Sequence, residues 1–147
     1  MAKPKTSEWG KLVALVARLR SPHGCPWDRA QSHESLIPHL REESLEVEQA
    51  LRGGKWQEIE DELGDLLLQA LLHAQIAAEK GHFDIEDVAK AQRLKLMRRH
   101  PHVFAEADHP TAESVARNWK NIKTAERKLR EADLAARAMR LKTKVEA

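Results

Sequence analysis

The chain has 147 residues, a formal net charge of only +2, no Tyr, two Phe and a single Cys. One Cys excludes an intrachain disulfide, and no apolar run is long enough to span a bilayer, so we expect a cytoplasmic protein without a membrane segment. Abundant Leu, Ala, Glu, Lys and Arg favour helices over sheets, and the length suits one main domain.

The first half of the chain predicts three helices. Apolar residues at helical spacing indicate a first helix over residues 9–19, followed by a loop to Ser32. A second helix is predicted from about 33 to 51. A third runs from about 56 to 80 and is apolar nearly all round over residues 66–72, so we expect it to be the central, most buried helix.

The second half predicts two more helices. Asp84 is a candidate N-cap for a fourth helix that runs to about His100, where Pro101 stops it. After a loop, a last helical stretch extends from Thr111 to roughly Lys142. Its apolar pattern loosens towards the end, which fits either a helix that needs a partner or a frayed tail.

Four carboxylates form two pairs that mirror each other across a glycine turn: Glu43 with Glu46, and Glu62 with Asp65. Glu46 and Glu62 each lie eight residues from Gly54, and Glu43 and Asp65 each lie eleven. In an antiparallel hairpin these acids face one another, and converging negative charges repel unless a cation lies between them. Oxygen ligands suit a hard divalent ion, Mg²⁺ or Mn²⁺.

Three details strengthen this interpretation over a simple solvated acidic face. Glu43 interrupts the apolar stripe of its helix, and Asp65 directly precedes three leucines, so both are predicted to be buried. A buried carboxylate without a partner costs several kcal/mol. Gly64 disfavours its helix by roughly 1 kcal/mol relative to Ala, which predicts a close approach by a neighbouring helix or ligand.

Charge is distributed unevenly along the chain. Residues 42–65 carry nine acids and two bases, whereas residues 90–147 carry fifteen bases and seven acids. Together the two regions could bind a metal–polyphosphate complex, the acidic one through the metal and the basic one through the phosphates. The alternative for most of these charges is that they form solvated helix faces. Lys95 and Arg99, spaced i,i+4, are candidates to bind the phosphates. The alternative is that they only compensate the dipole at a helix C-terminus.

The four tryptophans divide into two groups. Trp27 and Trp119 are candidates for stacking on a nucleotide base, with anchoring in the core as the alternative. Trp9 and Trp56 are assigned to packing.

The acidic motif also resembles a known family. Glu-Glu-x-x-Glu at 42–46, followed by Glu-x-x-Asp at 62–65, matches the signature of MazG-type nucleotide pyrophosphohydrolases. Four further segments resemble that family in the expected order, over roughly residues 9 to 125: CPWDRAQSHESL at 25–36, EDELGDLLLQALLHAQ at 60–75, RRHPHVF at 98–104 and NWKNIK at 118–123.

The resemblance implies an all-α fold of the antiparallel four-helix-bundle type over residues 1–125. Residues 126–147 would then form a helical or partly disordered C-terminal arm. It further implies Mg²⁺-dependent hydrolysis of nucleoside triphosphates to monophosphate and pyrophosphate, with Mn²⁺ as a possible substitute. Members of the family often carry two tandem domains, whereas this chain has one, and they assemble as dimers or larger. We therefore expect a homo-oligomer, a dimer or tetramer.

Carried over by position, the metal ligands would be Glu43, Glu46, Glu62 and Asp65. Glu43 or Glu46 would accept the proton from water. Lys95 and Arg99 match the family's substrate-binding basic positions.

Two alternatives differ from a general house-cleaning pyrophosphohydrolase. One is a narrow-specificity enzyme of the same superfamily that acts on dUTP or dCTP. The other is a non-catalytic helical module that binds protein or nucleic acid through the basic half. A nucleic-acid role is disfavoured, because the acidic cluster would then be left repulsive and without a cation.

Overall fold

The structure is a computed structural model that describes residues 7–104 and 111–145. Within these ranges the secondary structure is entirely helical, which confirms the all-α prediction. The helices are α1 (Glu8–Leu19), α2 (Pro26–Ala30), α3 (His33–Gly53), α4 (Trp56–Glu79), α5 (Ile85–Arg99), α6 (Pro101–Phe104) and α7 (Ala112–Val145). None of the helices in the described ranges is long and apolar enough to cross a membrane.

Two short helices replace segments that were expected to be loops. Both α2 and α6 begin with a proline, at Pro26 and Pro101. Proline is favoured at the first helical position because its missing N–H would have no helical partner there and its φ is already helical. The predicted loop around the CPWD segment is therefore wrong in detail, and Trp27 lies on a helical turn.

The α3 and α4 helices form an antiparallel hairpin. A reciprocal capping box between Ser32 and Ser35 starts α3, and Gly54 ends it with φ 70°, a left-handed conformation that glycine adopts without steric cost. The Gly54 N–H donates to the Ala50 carbonyl at 3.0 Å. The two helices are antiparallel, because a residue at the start of α3 contacts a residue in the second half of α4.

The hydrophobic core lies at the end of the hairpin far from the Gly54 turn. Its fully buried members come from α1, α3 and the C-terminal part of α4: Val16, Leu36, Leu71, Leu72 and Ile76. The prediction that α4 is the central helix is therefore right for its second half only. In its first half Leu63 is 49% exposed and Leu67 36%. Trp56 is 82% exposed, so the prediction that it serves packing is wrong within this chain.

Arg20 ties three segments of the core end together. Its Nε and Nη2 donate to the two oxygens of the Glu79 carboxylate at 2.9 and 2.8 Å, and its Nη1 donates to the carbonyls of Asp28 and Gln31. The Arg20 side chain is only 6% exposed. These bonds lower the pKa of Glu79 and fix the end of α1 and the α2 turn against the end of α4.

The chain divides after Lys90 into two compact units. In the second unit α7 runs from Ala112 to Val145 without a break at residue 125. The helical character predicted for the C-terminal stretch is thus observed through residue 145. The assignment of residues 1–125 and 126–147 to a domain and an arm stays a prediction, and residues 146–147 lie outside the described ranges.

Candidate functional site

Three of the four mirrored carboxylates converge on one point of the hairpin. Glu43 on α3 and Glu62 and Asp65 on α4 each contribute an oxygen, and these oxygens all lie within 4.8 Å of one another. Glu43 and Glu62 are half-buried, whereas Asp65 is exposed. The two helices bring the acids together because the tight turn at Gly54 places residues of equal separation from it side by side.

Glu46 lies beside this group rather than within it. Together with Glu62 it lines a shallow cleft of about 250 Å³, whose other lining residues are Gln49, Ala50 and Glu58. Of the four acids predicted as ligands, the structure therefore places three in one tight cluster and the fourth next to it. Glu58, one turn before Glu62, adds a carboxylate to the cleft that the mirrored pattern did not include.

The cluster is electrostatically unfavourable when it contains only protein. Partial burial raises the pKa of Glu43, and the negative charges of Asp65 and Glu46 raise it further. The pKa of Glu62 is raised by the same causes, desolvation first and then the charges of Glu46 and Asp65. Each carboxylate thus disfavours ionisation of its neighbours, which is the situation that a bound cation relieves.

One detail expected from the sequence is wrong, and one half of another is not observed. Asp65 is exposed rather than buried, because the core lies at the far end of the hairpin and leaves the first half of α4 facing solvent. A Cβ added to Gly64 would meet no described atom within 4 Å apart from its chain neighbours and its own helix backbone, so no neighbouring helix approaches this glycine, and a close approach by a ligand stays a prediction.

Trp27 is 53% exposed, and its ring and that of His39 form a T-shaped pair, with ring centroids 5.6 Å apart and an interplanar angle of 76°. The indole therefore has a free surface and is not a core anchor. In the second unit Trp119 is half-buried and forms a T-shaped pair with His100, with ring centroids 4.8 Å apart.

The basic candidates lie at the end of α5. Arg99 is part-buried and lines a groove of about 360 Å³, whereas Lys95, one turn earlier and half-buried, lies outside the groove. The other lining residues all come from α7: Lys120, Lys123, Thr124, Glu126, Arg127 and Arg130. Five cations and one anion line this groove, which makes it a strongly cationic surface.

Sequence reasoning missed Glu126, which forms ion pairs with both Arg98 and Arg99. A signal was present, since Glu126 is the only acid in the run of bases from Lys120 to Arg130. An isolated acid in such a run is a candidate partner for a nearby arginine. Which arginine it contacts depends on how α5 and α7 pack.

Comparisons with known proteins identify the family of this chain. The sequence model of the MazG nucleotide pyrophosphohydrolase domain matches residues 31–104. The chain is 46% identical over 117 residues to the nucleoside triphosphate pyrophosphohydrolase/pyrophosphatase MazG of Thermotoga maritima, covering 80% of this chain and 44% of that protein. It is 42% identical over 118 residues to the nucleoside triphosphate pyrophosphohydrolase of Escherichia coli K12, covering 80% of this chain and 45% of that protein.

The crystal structure of a mazG-related protein from Thermotoga maritima matches with a TM-score of 0.62 and 30% identity, over 78% of this chain and 98% of that one. The chain spans less than half the length of the two curated relatives. The matched range 31–104 contains all four mirrored carboxylates, Lys95 and Arg99, whereas Trp27 and Trp119 lie outside it.

Proposed function

Because this chain belongs to the MazG nucleotide pyrophosphohydrolase family, we propose that it hydrolyses nucleoside triphosphates to nucleoside monophosphate and pyrophosphate with the help of Mg²⁺. The observation that carries this proposal is the convergence of Glu43, Glu62 and Asp65 within 4.8 Å. Three carboxylates at this separation, with raised pKa values at Glu43 and Glu62, favour a divalent cation as their shared partner.

The donor set fits a small hard ion. Carboxylate oxygens are the ligands that Mg²⁺ prefers, and three of them within 4.8 Å of one another are close enough to share one ion. Glu43, Glu62 and Asp65 would hold the ion, with Glu46 as an adjacent fourth carboxylate, and Mn²⁺ could substitute because it shares the preference for oxygen.

In the proposed reaction a water oxygen attacks the α-phosphorus, the bond from this phosphorus to the bridging oxygen breaks, and pyrophosphate leaves. A divalent ion held by these carboxylates would neutralise phosphate charge and lower the pKa of a water molecule. A carboxylate of the α3 pair accepts the proton from water. We favour Glu46 over Glu43 for this role, because Glu46 lies outside the three-oxygen cluster yet is close enough to raise the pKa of both Glu43 and Glu62.

The remaining candidates would bind the rest of the substrate. Lys95 and Arg99 would bind phosphate oxygens, Lys as a point charge and Arg through paired N–H groups. Trp27, with about half of its surface exposed, and Trp119 would stack on the base. We further propose a cytoplasmic, homo-oligomeric enzyme with a house-cleaning role towards modified or damaged nucleotides.

The decisive experiment measures pyrophosphate release from a panel of normal and damaged NTPs and dNTPs with Mg²⁺, Mn²⁺ or EDTA. We expect release from several triphosphates with either metal and none with EDTA. Turnover confined to dUTP or dCTP would replace the broad role with a narrow one. Absence of pyrophosphate release from every substrate would reject the enzymatic proposal. Salt-sensitive binding to duplex DNA in that case would favour the non-catalytic module.

A further inference from the structure

Glu126 accepts hydrogen bonds from two consecutive arginines. Arg98 donates through Nε and Nη2 to Oε1 at 2.8 and 2.6 Å. Arg99 donates through Nε and Nη2 to Oε2 at 3.0 and 2.5 Å. One carboxylate on α7 therefore engages an edge of both guanidinium groups at the end of α5.

The guanidinium groups of Arg98 and Arg99 lie together because the Glu126 carboxylate holds them. Consecutive residues of a helix point about 100° apart, so Arg98 and Arg99 would diverge if nothing drew them together. Their like charges would also repel at close range. The side chains of Arg99 and Glu126 are only 16% and 18% exposed, so solvent screens this contact less than it would screen a surface pair. The two arginines lower the pKa of Glu126 to about 2, so the carboxylate is charged at every physiological pH.

Among the residues that the structure describes, only Glu126 accepts from Arg99, so the other N–H groups of this arginine are left for another ligand. A guanidinium has five N–H donors, and Glu126 takes two of them from each arginine, on the Nε side. The three others of Arg99 belong to Nη1 and Nη2. Arg99 lines the cationic groove together with Lys120 and Lys123, so an anion in this groove would lie close to its guanidinium.

We propose that Glu126 is a positioning residue for the substrate: it fixes the guanidinium of Arg99, with Arg98 beside it, so that the free N–H groups bind the polyphosphate without further loss of side-chain entropy. This inference rests on the proposed function, because it deepens the role of Arg99 in triphosphate binding. An ordered arginine binds phosphate more tightly than a mobile one, since fewer rotamers are lost on binding. Two other roles of Glu126 predict different effects on substrate binding. If the carboxylate competed with phosphate for Arg99, its presence would weaken substrate binding. If it only connected α5 to α7, its presence would leave substrate binding unchanged.

Three variants of the full chain separate these roles. Glu126→Gln keeps the shape but replaces one carboxylate oxygen with an NH₂ group that only donates, so the negative charge is lost and at most two of the four hydrogen bonds remain. Glu126→Asp retains the charge on a side chain shorter by one methylene. Glu113→Gln removes an exposed carboxylate from the first turn of the same helix and serves as the matched control. Circular dichroism and thermal melts establish that each variant keeps its helical fold.

Steady-state kinetics with Mg²⁺ and a triphosphate substrate give the main result. We expect Glu126→Gln to raise KM about tenfold, equivalent to about 1.4 kcal/mol of binding, with kcat changed less than about twofold. Glu126→Asp should recover part of the loss, and Glu113→Gln should match the unmodified chain. If Glu126→Gln has the same KM as the unmodified chain, the proposal is overturned and Glu126 only connects α5 to α7. If Glu126→Gln has a lower KM, the proposal is overturned and Glu126 competes with phosphate for Arg99.

Binding of inorganic triphosphate, measured by calorimetry without metal, separates this inference from the proposed function. If the unmodified chain binds triphosphate and Glu126→Gln binds it about tenfold more weakly, the positioning role stands even when no nucleotide is hydrolysed. If both chains bind it equally, the role is rejected even when hydrolysis is robust. If the unmodified chain does not bind it at all, the role is likewise rejected.

Discussion

The imidazole rings of His33 and His73 lie parallel, with an interplanar angle of 3° and their Nδ1 atoms 2.8 Å apart. His33 begins α3 and His73 lies in the buried half of α4, so the pair joins the two helices of the hairpin at its core end. A hydrogen bond between two Nδ1 atoms needs one of them to donate and the other to accept. Protonation of both rings would place two N–H groups against each other.

The first prediction concerns acid stability. Burial and the neighbouring His33 lower the pKa of His73 below its ordinary value of 6.5. The unfolded chain therefore takes up this proton more readily than the folded one. Stability from this group is complete above about pH 6.5 and is lost as the pH falls through the folded pKa, by at most about 1.4 kcal/mol per pH unit.

Urea unfolding at pH 7.5 and 5.5 tests this assignment. The variant His73→Gln, which cannot take up the proton, should lose less stability between the two pH values than the unmodified chain. The exposed His82 provides the matched control, because His82→Gln leaves the pair intact and should keep the full pH dependence. An equal loss of stability in His73→Gln and the unmodified chain would assign the acid sensitivity to other groups.

The second prediction separates the roles of two carboxylates. Asp65→Ala removes a member of the three-oxygen cluster, so the Mg²⁺ concentration for half-maximal activity should rise and kcat/KM should fall about 100-fold. Glu46→Ala should lower kcat by a similar factor with little change in the Mg²⁺ requirement, because Glu46 lies beside the cluster. Each change also removes a repelling charge, so the metal-free melting temperature should stay equal or rise.

Glu48→Ala is the control for these variants. Glu48 is exposed on α3 and pairs with Arg52 at 2.7 Å, away from the cluster, so this variant should keep its activity. Full activity of Glu46→Ala and Asp65→Ala would contradict the assignment of the metal site.

The third prediction concerns phosphate and base recognition, which should separate kinetically. Lys95→Ala should raise KM for every triphosphate by a similar factor, because all substrates share the phosphates. Lys90→Ala, at an exposed position on the same helix, is the matched control. A Lys95→Ala variant with unchanged KM would mean that this lysine only compensates the helix dipole.

The fourth prediction concerns the tryptophans. Trp27→Ala and Trp119→Ala should alter the ranking of bases, measured as kcat/KM ratios between purine and pyrimidine triphosphates, more than they alter phosphate binding. Trp56→Ala removes an indole that is 82% exposed and should leave the ranking unchanged. If Trp119→Ala only lowers the melting temperature, its contact with His100 is structural.

The fifth prediction is a homo-oligomer. Large apolar side chains stay exposed along both helices of the hairpin, including Leu45 and Leu51 at 57% each and Leu63 at 49%. A second copy could bury them through a symmetric interface. Light scattering should give the mass of a dimer or tetramer at micromolar concentration, and Leu51→Lys should shift it towards one chain. A larger shift from Leu129→Lys on α7 would place the interface on that helix instead, and a single-chain mass for the unmodified protein would refute the prediction.

Most of the hairpin could be predicted from the sequence because its determinants are local. Ser32 caps α3, the left-handed Gly54 ends it, and helical periodicity defines the span of each helix. Position relative to the turn then places Glu43 opposite Asp65 without any knowledge of the core. The short helices at Pro26 and Pro101 were missed because one helical turn has no periodicity to detect.

The sequence by itself determined that the chain is helical, that its acids face each other across a glycine turn and that its motifs are those of the MazG family. Only the tertiary structure decided that Glu46 lies beside the three-oxygen cluster, that Asp65 is exposed and that Glu126 holds Arg98 and Arg99. The difference is physical. Turns, caps and helix register depend on neighbours along the chain, whereas burial and ion pairing depend on which faces pack together.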